Sequence, residues 1–330
     1  MLNWCIIGSG DVVQRLLKKS IEKKNKSTLK YILSKDINSA KKYAENFENV
    51  QVLESSLKNI KLIQNNKLIN SIYIATPPNS HYYYIEKLSN KKNIICEKPL
   101  FINKKEIKNF KRLIKTKKFN FYTCFYRRYL ERFLFVKKIL KQKKIGKILY
   151  FDIKYFHNEK NHPTANIIRN KPIPWRFVKN VSGGGNIFDM GAHSIDLINF
   201  MIGEIKSVSA FKKNQMNFYN VEDINIVNFE LKNKILGQAS WCSTSPFKVD
   251  KFIIYGRKGT INFTMNFGEE DHVVIKLKNK IVKKKIKMKM PLHNNMFNYF
   301  IKELTKKNKT KKSHIDQNGI TNAEILQKIS

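Results

Sequence analysis

The stretch Leu2-Asn3-Trp4-Cys5-Ile6-Ile7-Gly8-Ser9-Gly10 decides how the chain begins to fold. A short apolar run containing tryptophan and isoleucine is typical of a buried parallel strand, and two glycines follow it closely. The residues after the glycines place Val12, Leu16 and Leu17 at helical spacing. Strand, glycine turn and helix together predict the opening of a doubly wound α/β domain that binds a dinucleotide. Val13 occupies the third glycine position of GxGxxG, and a GxG pair alone also occurs in other tight strand-to-helix turns.

The next predicted strand, Leu29–Leu33, ends in Ser34, Lys35 and Asp36. Folds that prefer NAD usually carry an acidic residue at this strand tip, where it accepts hydrogen bonds from the ribose hydroxyls. A hydroxyl and an ammonium suit the 2′-phosphate of NADP instead. We therefore expect NADP in preference to NAD. Two alternatives stay open, because Lys35 is one of many solvated lysines and Asp36 can still serve the ribose.

Two further strand ends supply polar groups to the same edge of a parallel sheet. Ser71–Ala75, expected as the third strand, leads into Thr76-Pro77-Pro78-Asn79-Ser80-His81, and Ile94–Cys96 leads into Glu97-Lys98-Pro99. The carboxyl ends of parallel strands form the ligand-binding edge of an α/β sheet. A lysine there can polarise a carbonyl or alkoxide, or exchange a proton. Taken alone, Lys98 is equally typical of a surface lysine before a turn.

Three consecutive glycines, Gly183–Gly185, precede a segment that carries two carboxylates and an imidazole. Asp189, His193 and Asp196 are four and three residues apart, so a helix would place them on one face. Glycines allow a backbone to approach a ligand closely. The arrangement suits proton handling on a small polar molecule. A glycine turn before a buried helix with a hydrogen-bonded histidine would produce the same pattern.

Taken in order along the chain, these motifs resemble the glucose-fructose oxidoreductase/inositol dehydrogenase (Gfo/Idh/MocA) family. The resemblance rests on Ala75-Thr-Pro-Pro-Asn-Ser-His81, Glu97-Lys98-Pro99 and Gly183-Gly-Gly-x-x-x-Asp189-x-Gly-x-His193-x-x-Asp196, and it covers nearly the whole chain. It implies a Rossmann domain followed by a C-terminal α/β domain whose open, mostly antiparallel sheet often mediates oligomerisation. It also implies hydride transfer between a nicotinamide and a hydroxyl- or carbonyl-bearing carbon, usually of a sugar or cyclitol.

The resemblance also implies roles for individual residues. The catalytic set is Lys98, Asp189 and His193, the Lys98–Pro99 peptide is expected to be cis, and Arg176, after Trp175, is expected near substrate or cofactor. The predicted substrate-binding residues are Lys98, Arg176, Asp189 and His193. The predicted cofactor-binding residues are Gly8, Gly10, Asp11, Val12, Ser34, Lys35, Thr76, Pro77, Asn79, His81, Glu97 and Lys98.

The chemistry of alcohol oxidation suggests a role for each of the three predicted catalytic residues. The reaction removes a proton from oxygen and a hydride from carbon, and the nicotinamide takes the hydride. Histidine ordinarily titrates near neutral pH, so we predict that His193 carries the proton and Lys98 stabilises the alkoxide. The reverse assignment stays open, and Asp189 either holds the imidazole or binds a neighbouring hydroxyl. Two other functions stay open as well: a catalytically silent dinucleotide- or sugar-binding sensor, and a nicotinamide-dependent glycosidase.

Length and composition bound the remaining expectations. The 330 residues suffice for two domains, which we place at 1–122 (Rossmann) and 123–330 (substrate binding and oligomerisation). Apolar runs stay below the ~18 residues of a membrane span, no signal peptide is visible, and the four cysteines lack CxxC spacing. We therefore expect a cytoplasmic protein with reduced thiols and no metal. The net charge of +39 comes mainly from dispersed lysines, so we expect no nucleic-acid or membrane partners. The family resemblance implies a homo-oligomer through the C-terminal sheet.

The second half of the chain shows the alternating pattern of antiparallel strands. Strands are predicted over Ile148–Phe156, Ile205–Phe211, Ile224–Leu231, Ile235–Trp241, Phe252–Gly256, Gly259–Phe263 and Lys278–Lys289. Helices are predicted over Phe121–Leu140, Pro291–Leu304 and Asn322–Ile329, and Asn158–Pro174 is expected to be a lid or substrate loop. A strand over Phe119–Cys124 is the alternative for the start of the first helix. Tyr126, Arg127 and Arg128 are expected either to line the cofactor crevice or to pack between the domains.

Overall fold

The computed structural model describes residues 1–158, 173–266, 272–287, 289–306 and 313–330. The chain divides into two compact units, Met1–Tyr126 with Lys289–Ala323, and Arg127–Met288 with Glu324–Ser330. It therefore crosses between the units near residues 126, 288 and 323. The predicted boundary after residue 122 lies close to the first crossing. As a boundary between whole domains it stays a prediction.

The first unit is built on a six-stranded parallel sheet in the order β3-β2-β1-β4-β5-β6. Parallel strands are covered on both faces, and all four residues of β4 are buried accordingly. The strand order reverses between β1 and β4, which is where such sheets bind nucleotides. The predicted Rossmann sheet is thus confirmed. Its strands are β1 Leu2–Ile7, β2 Ser27–Ser34, β3 Gln51–Glu54, β4 Ser71–Ile74, β5 Asn93–Cys96 and β6 Asn120–Thr123.

Helices of the first unit begin at side chains that satisfy otherwise unpaired backbone N–H groups. Asp36, Ser56 and Asn103 each accept from the N–H three residues further on, which stabilises each helix by about 1 kcal/mol. The helices are α1 Ile37–Ala44, α2 Leu57–Asn65, α3 His81–Leu88, α4 Lys104–Thr116 and α8 Asn294–Thr305, together with the first part of α9 Gln317–Ile329. The late helices predicted at Pro291–Leu304 and Asn322–Ile329 correspond to α8 and α9.

Three local expectations in the first half of the chain were wrong. Gln51–Glu54 forms an unpredicted edge strand, so Ser71–Ile74 is the fourth strand and not the third. β3 has only four residues, with both ends exposed, so it lacks the apolar run that marks a buried strand. The helix after the glycine turn is a π-helical turn, Val12–Leu17. The helix predicted over Phe121–Leu140 is strand β6, a 3₁₀ turn and helix α5, because pairing with β5 draws the first residues into the sheet.

The second unit is built on an eight-stranded sheet in the order β14-β13-β12-β11-β7-β10-β9-β8. Neighbouring strands are antiparallel except for the parallel pair β7 and β10, which confirms the predicted mostly antiparallel sheet. The strand expected over Lys278–Lys289 is instead part of a hairpin, because a turn at 278–279 separates β13 from β14. The strands are β7 Ile148–Asn158, β8 Ile205–Lys213, β9 Ile224–Leu231, β10 Leu236–Ser245, β11 Val249–Gly256, β12 Gly259–Phe263, β13 His272–Leu277 and β14 Lys280–Lys285.

One face of this sheet is buried and the other is open. Along β7, Phe151, Ile153 and Tyr155 are buried, whereas the alternating residues are partly or fully exposed. The helices of the unit are α5 Glu131–Lys141, α6 Lys179–Ser182 and α7 Ala192–Met201. Most of the predicted lid, 159–172, lies outside the described residues. Within the described ranges, no helix combines the length and apolar character needed to cross a membrane.

Candidate active site

The turn after β1 is a backbone surface shaped for a close-lying ligand. Gly8 has φ +94°, and a Cβ there would lie 2.9 Å from the carbonyl oxygen of Ala75, so the position requires glycine. Gly10 is exposed, and a Cβ there would meet nothing within 4 Å. The turn therefore leaves open space beside the backbone at the switch point of the sheet, and this space fits the pyrophosphate of a dinucleotide.

The tip of β2 presents fewer groups to solvent than the sequence indicates. Ser34 is buried, its hydroxyl lies 2.8 Å from that of Ser9, and it accepts from the N–H of Asp36 at 3.1 Å. Asp36 accepts from the N–H of Ser39 at 2.9 Å at the start of α1. Lys35 is exposed. Of the two residues predicted to read a 2′-phosphate, Lys35 is therefore the accessible one, and Ser34 shapes the turn.

His81 links two loops of the predicted cofactor site. Its Nδ1 lies 3.0 Å from the carbonyl oxygen of Pro99 and 3.1 Å from that of Leu100, and its Nε2 lies 2.8 Å from the carbonyl oxygen of Thr76. Burial lowers the pKa of His81 to about 4, although the three carbonyls act in the opposite direction. The ring has no exposed surface, so the structure gives His81 a linking role, and its direct contact with a cofactor stays a prediction.

The turn that carries Lys98 is anchored by the buried carboxylate of Glu97. Tyr73 donates its hydroxyl to Glu97 Oε1 at 2.7 Å, and the Lys98 N–H donates to Oε2 at 3.3 Å. Burial raises the pKa of Glu97, and the Tyr73 hydroxyl, the Lys98 charge and the Cys124 thiol oppose that rise. The Lys98–Pro99 peptide is cis, as expected. Lys98 is half-buried beside this anchor.

Two of the three glycines before Asp189, Gly184 and Gly185, pack against the protein's own atoms. A Cβ at Gly185 would lie 2.4 Å from the carbonyl oxygen of Glu222, and a Cβ at Gly184 would lie 2.5 Å from the Phe188 ring. The Gly185 N–H donates to Glu222 Oε1 at 2.9 Å. The expectation that these glycines admit a ligand was wrong for Gly184 and Gly185, because both are buried by neighbouring chain.

Asp189 lies in a π-helical turn, Ile187–Gly191, that runs directly into α7. Its Oδ2 lies 3.5 Å from Arg176 Nε, and both side chains are about one-third exposed, at 34% and 32%. The Arg176 guanidinium in turn lies 4.6 Å from the centre of the Trp175 ring. The structure therefore brings together two of the predicted substrate-binding residues. His193 lies in the first turn of α7 and is 3% exposed.

His157, at the end of β7, belongs to the same polar cluster and was missed by the sequence analysis. Burial lowers the pKa of His157 to about 4, and the charge of Asp189 opposes the shift. The imidazole packs edge-on against Tyr155, with ring centres 4.8 Å apart. The available signal was its position at the end of a predicted strand, just before the polar loop expected to bind substrate.

Asp196 does not share the environment of Asp189, contrary to the expectation of one common face. It is 1% exposed and accepts from Arg128 Nε at 2.7 and 2.8 Å. Arg127 is also buried, and it donates to the Met265 carbonyl oxygen at 2.6 Å. Both arginines therefore make contacts inside the second unit. Of the predicted catalytic set, Lys98 belongs to the first unit, and Asp189 and His193 belong to the second.

A parallel sheet with this strand order, with a glycine turn at its switch point, defines the class of dinucleotide-binding Rossmann proteins. Comparison with known families is more specific. Residues 2–124 match the model described as "Oxidoreductase family, NAD-binding Rossmann fold", and residues 133–262 match the GFO/IDH/MocA C-terminal domain. The chain therefore belongs to the Gfo/Idh/MocA family and is an oxidoreductase.

Individual relatives place the chain within this family. It is 28% identical over 266 residues to oxidoreductase P35 of Formosa agariphila, covering 80% of this chain and 79% of that protein. It is 31% identical over 158 residues to levoglucosan dehydrogenase of Pseudarthrobacter phenanthrenivorans, covering 48% and 39%. A levoglucosan dehydrogenase solved with NADH and levoglucosan superposes with a TM-score of 0.80 at 21% identity, covering 99% of this chain and 96% of that one.

Proposed function

We propose that the protein is an NAD(P)-dependent dehydrogenase or reductase acting on a hydroxyl- or carbonyl-bearing carbon of a sugar, sugar derivative or cyclitol. The observation that carries the proposal is the polar cluster of Arg176, Asp189 and His157 beside the helix that carries His193 in its first turn. Partly exposed charged groups next to buried imidazoles suit a small ligand with several hydroxyls. The relatives include an enzyme named for the anhydro sugar levoglucosan.

The proposed chemistry assigns one task to each side chain. The turn of Gly8 and Gly10 would hold the pyrophosphate of a bound dinucleotide, whose nicotinamide would supply the hydride acceptor or donor. His193 takes the proton from the substrate hydroxyl, or returns it in the reductive direction. Lys98 stabilises the negative charge that develops on that oxygen. Asp189 and Arg176 orient neighbouring hydroxyls, and exchanging the roles of His193 and Lys98 is the alternative within the same mechanism.

The functional test compares turnover with cofactor binding. A panel of sugars, sugar nucleotides and inositols with NAD and NADP identifies the substrate, after which His193→Ala is expected to lower kcat by about 10²–10⁴-fold. The dissociation constant of the cofactor, measured by the fluorescence of the reduced form, should stay within a few fold. His314→Ala, an exposed histidine of the first unit, is the matched control. Undiminished turnover in His193→Ala would remove the proposed role of this residue.

The preference for NADP rests on Lys35. This ammonium is exposed at the tip of β2, next to a serine that turns inward, and it suits the 2′-phosphate. Lys35→Asp should weaken NADP binding at least about tenfold relative to NAD, because it replaces attraction by repulsion. Lys30→Asp, earlier on the same strand, controls for the change in total charge. Equal losses for both cofactors in Lys35→Asp would contradict the assignment.

The two other functions are separated by product analysis. A nicotinamide-dependent glycosidase would cleave glycosides without net production of reduced cofactor, whereas a dehydrogenase accumulates NADH or NADPH. A silent sensor would bind sugar and dinucleotide without either activity. The family and the presence of Lys98, Asp189 and His193 favour the dehydrogenase.

We propose further that the open face of the second unit's sheet joins copies of the chain into a homo-oligomer. Apolar side chains share this face on five adjacent strands: the registers pair Phe211 with Ile226, and they place Leu236, Tyr150 and Tyr255 side by side four residues further along. They are Phe211, Ile226, Leu236, Tyr150 and Tyr255, exposed by 36–74%. Exposed apolar patches of this kind mark association surfaces. Leu236→Glu should shift the mass measured by sedimentation equilibrium towards the monomer, and an unchanged mass would refute the surface.

A further inference from the structure

The loop that joins β8 to β9, residues 214–223, lies against both segments that carry Arg176 and Asp189. It follows β8, which ends at Lys213, and precedes β9, which begins at Ile224. Its residues form neither a helix nor a strand. The loop and both segments belong to the second unit.

Hydrogen bonds within the loop hold its shape. The Asp223 carboxylate, 1% exposed, accepts from the N–H of Gln215 at 2.9 Å and from the N–H of Met216 at 2.8 Å. The side-chain amide of Asn214 donates to the carbonyl oxygen of Tyr219 at 2.6 Å. These bonds tie the end of the loop to its beginning, so the loop is a fixed support for the segments that pack on it.

The segment of Arg176 packs on the loop through its neighbour Phe177. The two residues share one 3₁₀ turn. Phe177 forms a small buried cluster with Tyr219 and Val221 of the loop, and the ring centres of Phe177 and Tyr219 are 4.6 Å apart. The loop therefore supports the backbone turn that carries Arg176.

The segment of Asp189 is tied to the loop through the backbone of Gly185. The Gly185 N–H donates to Glu222 Oε1 at 2.9 Å, and the Gly185 carbonyl oxygen accepts from the N–H of Asp189 at 3.3 Å. A Cβ at Gly185 would lie 2.4 Å from the carbonyl oxygen of Glu222, so the two segments are in direct contact there. A short chain of hydrogen bonds thus connects Glu222 with the backbone of Asp189.

The local sequence does not fix the distance between Arg176 and Asp189. Asp189 Oδ2 lies 3.5 Å from Arg176 Nε, although the two residues come from different turns. The glycines Gly183–Gly185 lie between these turns, and glycine restricts the backbone less than any other residue. An outside support is therefore needed to hold the two side chains together.

We propose that the 214–223 loop positions the substrate site, with Glu222 holding the turn of Asp189 and Tyr219 holding the turn of Arg176. Glu222 and Tyr219 are positioning residues, because they act through the two turns. This role rests on the proposed function of Arg176 and Asp189. A guanidinium donor and a carboxylate acceptor held at a fixed distance suit two adjacent hydroxyls of a sugar or cyclitol.

The first test needs no substrate. Hydrogen–deuterium exchange, followed by mass spectrometry, measures the protection of residues 183–189 in the full-length protein. Glu222→Ala removes the acceptor of the Gly185 N–H and should increase the exchange rate of this segment about tenfold, the factor that corresponds to one lost hydrogen bond. Glu222→Gln keeps a side-chain carbonyl acceptor and should retain the original rate. Unchanged exchange in Glu222→Ala would overturn the role of Glu222.

The second test compares kcat/KM for the substrate found in the panel with kcat/KM for its analogue that lacks a hydroxyl next to the reacting carbon. Displacing either turn weakens the contact with that hydroxyl, so Glu222→Ala and Tyr219→Ala should each lower the ratio of the two values about tenfold. Glu222→Gln and Tyr219→Phe, which keep the acceptor and the ring, should hold the ratio within about twofold. A variant that merely folds less well would lose active molecules and leave the ratio unchanged.

Glu204→Ala is the matched control. Glu204 is an exposed glutamate of the same unit, and its carboxylate pairs with Lys232 at 2.5 Å. The substitution should change neither the exchange rate nor the ratio. If Glu222→Ala does not fold, Tyr219→Ala and Tyr219→Phe decide the question, because only the loss of the ring should lower the ratio.

The two tests separate this proposal from the proposed function. Faster exchange with an unchanged ratio would support the hold of Glu222 on the turn of Asp189, and it would refute the substrate-binding role of Asp189 and Arg176. Unchanged exchange in Glu222→Ala together with an unchanged ratio in Tyr219→Ala would refute the loop as a positioning element, whereas the His193→Ala experiment tests the proposed function independently.

Discussion

Acid is expected to destabilise the first unit through the buried imidazole of His293, and the variant His293→Phe should remove that sensitivity. Burial holds the pKa of His293 at about 3 in the folded protein. In the unfolded chain a histidine titrates at about 6.5. Below pH 6.5 the unfolded chain therefore binds a proton that the folded chain does not, so stability is complete above that pH and falls as the pH drops towards 3.

The size of the effect follows from this gap. From pH 6.5 to pH 5, about 1.5 pH units, the imidazole is mostly protonated in the unfolded chain and neutral in the folded one. Each pH unit of this range lowers the free energy of unfolding by about 1.4 kcal/mol, so the loss is about 2 kcal/mol. If the pKa of His293 in the folded protein is anywhere below about 4, the folded imidazole is neutral at pH 5. The expected loss of unfolding free energy therefore does not depend on how far below about 4 that pKa lies. In His293→Phe, the change in unfolding free energy between pH 7 and pH 5 should be smaller by this amount.

Urea unfolding, followed by tryptophan fluorescence, measures the free energy of unfolding of the first unit, which contains His293. The chain has three tryptophans, and of these Trp4 lies buried in the first unit. A Trp175→Phe/Trp241→Phe background therefore leaves Trp4 as the reporter. The exposed His314→Phe serves as control and should retain the full acid sensitivity. Equal losses of stability for His293→Phe and its background between pH 7 and pH 5 would refute the reasoning.

Two further predictions concern packing. Arg128→Met removes the arginine that pairs with the buried Asp196 carboxylate and should destabilise the second unit by about 3–5 kcal/mol in urea unfolding, whereas adding Asp196→Leu should recover most of the loss. An Arg128→Met protein as stable as its parent would contradict this. Gly185→Ala should cost about 1–3 kcal/mol, because its Cβ would meet the Glu222 carbonyl oxygen at 2.4 Å. Gly10→Ala, which meets nothing within 4 Å, should leave the unfolding midpoint unchanged; equal losses would show that these clearances do not govern stability.

Much of the first unit was predictable because its signals are local. An apolar run broken by glycines marks β1, and the runs before Thr76 and Glu97 mark two more strands of the same sheet. The edge strand Gln51–Glu54 was not predictable, since half-exposed residues carry no strong pattern. At Phe121 the strand predicted over Phe119–Cys124 is confirmed and the helix predicted from the same residue is wrong, because pairing with strand β5 draws these residues into the sheet.

In the candidate site, too, motif residues could be predicted from the sequence, whereas contacts between distant segments could not. Motif order predicted Lys98, Asp189, His193 and Arg176 as site residues, and the structure brings Arg176 and Asp189 together. Spacing alone suggested that Asp196 shares the face of Asp189, but Asp196 is buried and pairs with Arg128, 68 positions earlier. His157 was not selected from the sequence, because its link to the site is an electrostatic interaction with Asp189, which lies on another element.

The amino-acid sequence by itself determined the strand–glycine–helix opening, the alternation that builds the second sheet and the order of motifs that defines the family. These depend on neighbours within a few residues, where backbone geometry and side-chain periodicity act directly. Only the tertiary structure decided that a Cβ at Gly185 would meet Glu222, that Asp196 pairs with Arg128, and that His293 Nδ1 lies 3.9 Å from Glu97 Oε1. Burial and charge at these positions come from segments far away in the chain, and no local pattern encodes which of them will meet.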